Sequence, residues 1–169
     1  MKSLNRILLA GLLAVSALFA GATHAAALSD YAENKIVDHV LRATAFTAPA
    51  SVHVGLLTAA PSDTGGGTEV SGNDYARVEV TSGLTAWNGT HGTTTGASSG
   101  TDGTIENAAA ITFPTPTPAG WGTVTHWGVY DAATGGNLLF YAALTASKVI
   151  NAGDAVSFAA GALSLQIDN

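Results

Sequence analysis

The chain has 169 residues, five histidines, no cysteine, and twelve acidic residues against six lysines and arginines, a formal net charge of −6. With 11% charged and 47% hydrophobic residues it lies outside the disordered class, and its acidic balance excludes a strongly basic nucleic-acid binder. Without cysteine there is no disulfide, thiolate metal site, iron–sulfur cluster or cysteine nucleophile.

In chain order, the first predicted element is an export signal over residues 1–25. Lys2 and Arg6 give a positive start, Ile7 to Phe19 is apolar, and small residues follow from Gly21. The apolar run is shorter than the roughly 20 residues that a membrane-spanning helix needs. Thr23 and Ala25 place cleavage between Ala25 and Ala26, with a second frame before Leu28. No cysteine follows the run, which excludes a lipoprotein anchor. Cleavage would leave residues 26–169 with four cations against twelve acids, a net charge of −8. Such a chain is expected to be exported to the periplasm, cell surface or medium. It has no span left to hold it in a membrane, and its charge repels nucleic acid.

Ser29 to Thr44 is the one helix candidate. Ala32, Ile36, Val37, Val40, Leu41 and Thr44 share a face at three- and four-residue spacing, opposite Asp30, Glu33, Asn34, Lys35, Asp38 and Arg42. Asp30 and Glu33 have capping-box spacing, and Pro49 ends the element. The expected role of this helix is to pack on a sheet.

From there the period changes to two. Val52 to Leu57 reads as a strand covered on both faces, and Ala60 to Gly67 as a turn. Tyr75 to Thr81 alternates, with Ala76, Val78 and Val80 inward and Tyr75, Arg77 and Glu79 outward. Arg77 is expected to make at most a surface ion pair of little worth. Residues 82–104 break the composition: sixteen of the twenty-three are glycine, serine or threonine. They predict an exposed loop or extended hairpin, with ordering in an oligomer as the competing reading. Asn88-Gly89-Thr90 matches a glycosylation sequon and a turn signal, and the turn is favoured.

Ala110–Phe113, Gly122–Tyr130, Asn137–Leu144, Val156–Phe158 and Leu163–Ile167 read as further short strands separated by turns. The fold expected is mainly β: an antiparallel, jelly-roll-like β-sandwich with one N-terminal α-helix packed on it, in one domain over residues 26–169.

Little in the sequence carries catalysis. His39, His53, His91 and His126 stand alone without metal-ligand spacing, although His53 and His126 lie on strands that could adjoin. Gly65-Gly66-Gly67-Thr68 lacks the lysine of a phosphate loop, and there is no Gly-x-Ser-x-Gly elbow. Asp63, Glu69 and Asp74 read as turn residues. No catalytic residue, cofactor or metal is assigned, and the chain is read as no enzyme. Of the tryptophans, Trp127 is expected in the core. Trp87 and Trp121, flanked by glycine and polar residues, are expected at the surface. With Asn88 and His91 they form the candidate contact surface.

Several long stretches carry a resemblance. Ala27-Leu28-Ser29-Asp30-Tyr31-Ala32-Glu33-Asn34-Lys35, Val52-His53-Val54-Gly55-Leu56-Leu57-Thr58-Ala59-Ala60-Pro61, Thr68-Glu69-Val70-Ser71-Gly72 and Tyr75-Ala76-Arg77 resemble the small tail-fibre-like virion proteins of tailed bacteriophages and prophages. Trp121 to Asp131, Gly135-Gly136-Asn137-Leu138-Leu139 and the Gly153-Asp154 turn are similar as well. The resemblance implies a non-enzymatic virion component that assembles through its sheets and edges without a cofactor, in a tail or head-decorating position. The export signal and the 82–104 insertion depart from the family pattern. Two readings follow. One is a structural subunit that forms a homo-oligomer or joins other virion or surface proteins and presents the 82–104 loop. The other is a secreted glycan-binding or adhesive module using Trp87 and Trp121.

Overall fold

Among the described residues the fold is the expected antiparallel β-sandwich with one N-terminal helix. The computed structural model describes residues 16–19, 26–90, 96–99 and 103–167. Strand β1 (Ser16–Phe19) lies inside the apolar run of the predicted signal, and β2 (Ala27–Leu28) follows just after the predicted cleavage point. Next come helix α1 (Asp30–Leu41), β3 (Ser51–Ala59), β4 (Thr68–Glu69), β5 (Val78–Thr81), β6 (Trp87–Asn88) and β7 (Thr104–Asn107). The chain ends in β8 (Ile111–Thr112), β9 (Gly122–Tyr130), β10 (Leu138–Ile150), β11 (Ala155–Phe158) and β12 (Ser164–Gln166).

One layer is a sheet in the order β2-β10-β9-β3-β4, with β5 also pairing with β3. The opposing layer is made of two smaller sheets, β1-β11-β8 and β12-β7-β6. Among the described residues all strand pairings are antiparallel except that of β1 with β11. Between the layers lies an apolar core that includes Val54, Leu56, Trp127, Val129 and Ala142 from the large sheet. Against them stand Trp87, Ile111, Phe113, Val156, Phe158, Leu163 and Leu165 from the other layer. Side-chain alternation along each strand puts these residues on one face, so burial drives the two layers together.

Strand β10 runs six residues past the predicted Leu144. It pairs His126 with Ala143 and Val124 with Lys148, so the four residues between Ala143 and Lys148 oppose Thr125 alone. This large bulge hides the strand's continuation from a period-two reading. The Asn88-Gly89 turn signal is also corrected. Asn88 lies in the β6–β7 ladder opposite Glu106, and its amide donates to the Glu106 carboxylate at 3.1 Å.

The helix needs the largest correction. Its N-cap is Ser29, whose Oγ accepts from the Ala32 N–H at 3.2 Å, so the cap sits one residue before the Asp30 that spacing suggested. Ser29 also donates to the Leu138 carbonyl, and its N–H donates to the Leu139 carbonyl at 3.1 Å, which fastens the helix root to the start of β10. Only the first turn packs: Ala32 is buried, whereas exposure along the rest of the apolar face rises from 37% at Ile36 to 77% at Leu41. The helix ends at Leu41, with Ala43 at a positive φ of 54° and the Phe46 N–H donated to His39 Nδ1 at 3.3 Å. Residues 29–50 thus form an arm that leaves the sandwich at one end and returns there to begin β3.

Candidate functional site

Three features could serve function: a cluster on the outer face of the large sheet, an apolar groove, and the arm. The cluster grows from a glycine pair. Gly55 of β3 lies directly opposite Gly128 of β9, and the missing side chains leave a hollow in the sheet face. A Cβ at Gly55 would come within 2.9 Å of Glu69 Oε1 and 3.1 Å of Tyr75 Oη; one at Gly128 would meet Tyr130 Cε2 at 3.1 Å. The hollow is filled by polar groups that satisfy one another. Arg77 donates from Nε and Nη2 to the two oxygens of Glu69 at 2.8 and 2.7 Å, and its Nη1 donates to the carbonyls of Ala132 and Gly135 at 2.7 and 2.8 Å. Its guanidinium carbon lies 3.4 Å from the centroid of the Tyr130 ring, a stacked cation–π contact. Tyr75 donates to Glu69 at 2.9 Å and accepts from the Leu56 N–H at 2.8 Å. The Arg77 side chain is 7% exposed, so the expected surface pair is a buried, bidentate clamp.

The tyrosines of this face respond to alkali. Burial raises Tyr75 and Tyr130 above the ordinary value of 10, while the hydrogen bond to Asp63 (2.5 Å) pushes Tyr141 up to about 12. In the unfolded chain these phenols ionise near pH 10, whereas the folded protein keeps their protons. Stability present below pH 10 therefore falls as the pH rises above it, by up to about 1.4 kcal/mol per pH unit for half-buried Tyr75 alone. Urea unfolding in steps from pH 9 to 11.5 should show this decline, and Tyr75→Phe should flatten it. A flat wild-type profile would contradict the assignment.

The groove is a cavity of about 570 Å³ where the β6–β7 hairpin and β12 fall short of covering the large sheet. Val52, Val129 and Phe140 form one wall, Trp87, Ile105 and Leu165 another, and Leu84 and Ile167 the rim. Among the described residues no charged side chain lines it. Leu84 and Ile167 are exposed. A smaller, polar cleft of about 280 Å³ lies beside the arm's root, bordered by Asp30, Asp63, Tyr130 and Asn137.

The structure scatters the predicted contact residues. Trp121 is 6% exposed, donates its indole N–H to the Asn73 carbonyl at 3.0 Å and meets Tyr75 edge-on at 5.3 Å, which places it in the core and corrects the expectation of a surface ring. Trp87 is 8% exposed and forms a groove wall; the hairpin folds it inward despite its polar neighbours. Asn88 is half-buried on Glu106, and His91 lies outside the described residues, as does Ala25. Ala26 is buried beside β2. His53 stands opposite Tyr130 and His126 opposite Leu57, so the two histidines do not meet. Burial lowers the His126 pKa, and its Nδ1 lies 2.8 Å from Thr125 Oγ1. Among the described residues no group of three metal-ligating side chains converges.

Residues 27–166 match the family described as podophage GP4 fiber I protein gp80. The chain belongs to that family. It is accordingly a structural protein of the phage tail-fibre type, as the resemblance implied, and the match spans the arm, both layers and the groove. A comparison with curated proteins finds no match. Among the described residues no helix is long and apolar enough to cross a membrane. In this fibre-family chain, sequence reasoning missed the Glu69–Arg77 clamp and the groove. The clamp left one trace, two acid–base partners flanking a glycine-containing turn beside a strand that carries Gly55.

Proposed function

We propose that this fibre-family chain is a non-enzymatic subunit that is exported, loses residues 1–25, and self-associates while residues 82–104 stand at the surface for contact with other proteins. The observation that carries the self-association is the arm: its helix leaves four large apolar side chains together in water, a patch of the kind that marks an interaction surface. The surface role of residues 82–104 is supported by their anchorage, since Trp87 turns inward and, with Asn88, pairs with Asn107 and Glu106, which fixes the segment to the sandwich at β6 and leaves the residues between β6 and β7 as its connection.

Cleavage between Ala25 and Ala26 is supported by the position of β2. That cut keeps both residues paired with Phe140 and Tyr141, whereas the frame before Leu28 would divide the strand. Cleavage would also remove β1 and open the outer edge of β11 for pairing. The glycan-binding reading loses its support with the burial of Trp87 and Trp121, because neither ring offers a face to a sugar.

Native and intact-mass spectrometry on protein purified from cells expressing the full chain tests the proposal. The expected result is a discrete oligomer whose subunits begin at Ala26. A strict monomer at high concentration would overturn self-association, and subunits that retain residues 1–25 would overturn processing.

A further inference from the structure

We infer that the apolar groove is the docking site for the α1 arm of a second copy of this chain, an assignment that rests on the self-association proposed above. The two surfaces match in chemistry. The arm offers Ile36, Val37, Val40 and Leu41 on one helical face, and the groove offers Trp87, Ile105, Val129, Phe140 and Leu165 with no charged side chain among its described residues. An apolar groove that receives side chains at three- and four-residue spacing is a recurring way to bind a helix.

The positions of arm and groove on the fold decide between self-docking and exchange. Both lie at the end of the large sheet where β3 begins and β9 ends: the Ser82 N–H donates to the Ala50 carbonyl at 3.0 Å where the arm returns, and Val52, two residues on, already lines the groove. They lie on opposite faces, however. Tyr130 borders the cleft at the arm's root and Val129 borders the groove, and consecutive strand residues point to opposite sides. The arm's closest packing in its own chain is with β10 and β2. It therefore stands across the sheet from its own groove, and a neighbouring copy can meet both.

Each such contact joins two different surfaces. A two-fold pair would use it twice, so one interface would hold two arm-in-groove contacts, whereas a ring would use it once at each interface. The rim residues Leu84 and Ile167 would then lie against the arm, which accounts for two further exposed apolar side chains.

The natural chain lacks cysteine, so single cysteines report this contact cleanly. Full-length Val40→Cys and Leu84→Cys chains are mixed and treated with a short bismaleimide, and Val40→Glu is followed by native mass spectrometry and circular dichroism. A mixed Val40–Leu84 cross-link is expected, together with association weakened about tenfold or more in Val40→Glu at unchanged melting of the monomer. An oligomer that persists in Val40→Glu without the cross-link leaves self-association standing and overturns the arm-in-groove contact. Loss of assembly in Val40→Glu without the cross-link overturns the groove as the arm's seat. Monomers that carry a bound lipid mass, removed by Leu84→Glu, would assign the groove to a lipid instead. A strict monomer in wild type overturns both this inference and the self-association beneath it.

Discussion

Replacing Asn107 with leucine is expected to destabilise the protein by about 4 kcal/mol, since three backbone groups would each lose a partner at about 1–3 kcal/mol apiece. Asn107 is 1% exposed, the last residue of β7, and its amide nitrogen donates to the carbonyls of Ala109 and Ala159 at 2.7 Å each. Its Oδ1 accepts from the Leu163 N–H at 2.8 Å, and its own carbonyl accepts from Gly161 at 2.7 Å. One side chain thus ties the hairpin end to the turn between β11 and β12. Leucine matches the volume and keeps the backbone bond to Gly161 but satisfies none of the three side-chain partners, and the cost is a large share of the 5–15 kcal/mol typical of a whole domain. A fall in melting temperature of roughly 10–15 °C should follow.

Asn107→Asp separates shape from hydrogen bonding. At neutral pH its carboxylate points lone pairs at two carbonyls that need donors, so it should be about as damaging as leucine. At low pH the protonated acid can donate to one of them, which should narrow the gap to wild type. A leucine variant melting within about 3 °C of wild type would refute the role assigned to Asn107. Because Ile105 and Leu165 line the groove on strands that Asn107 joins, the variant should also weaken assembly.

The contrast between Asn107 and the strands shows which signals reach a reader of sequence. Gly122–Tyr130 is legible because alternation and flanking turns are local properties of the chain, and the observed β9 has those bounds. The apolar face of α1 is legible for the same reason. Periodicity says which side of a helix is apolar and nothing about what covers it, so the packing expected of Ile36 to Leu41 was misplaced. Arg77 was read on the correct, outer face. Its burial depends on a register that sets Gly55 opposite Gly128, and no run of residues encodes that pairing. Trp87 and Trp121 misled because glycine and polar neighbours suggest exposure, whereas the hairpin and the Asn73 contact turn both rings inward. The groove is lined from six strands, β3, β6, β7, β9, β10 and β12, and the loops beside them, so it exists only once the layers meet.

Arg77→Ala is expected to cost about 3 kcal/mol, the lower end of what removing one partner from a buried ion pair costs. The lower end applies because the Glu69 side chain keeps 27% exposure, so water can partly solvate the carboxylate left behind. The substitution also removes the donors to Ala132 and Gly135 and uncovers the Tyr130 ring. Lysine cannot reproduce a fork that reaches two carboxylate oxygens and two carbonyls at once, so Arg77→Lys should recover only part of the loss. The double variant Arg77→Met, Glu69→Gln should be more stable than Arg77→Ala, because it leaves no unpaired charge in the hollow. Arg77 holds the 132–136 turn, and Gly136, Asn137 and Leu138 border the cleft at the arm's root, where Ser29 is fastened to β10. A slack turn should therefore loosen the root, and Arg77→Ala should assemble less well than wild type even at temperatures where its monomers remain folded. Chemical denaturation gives the first quantity and native mass spectrometry the second. An Arg77→Ala chain with wild-type stability would show that Glu69, Tyr75 and Tyr130 hold the outer face without their cation.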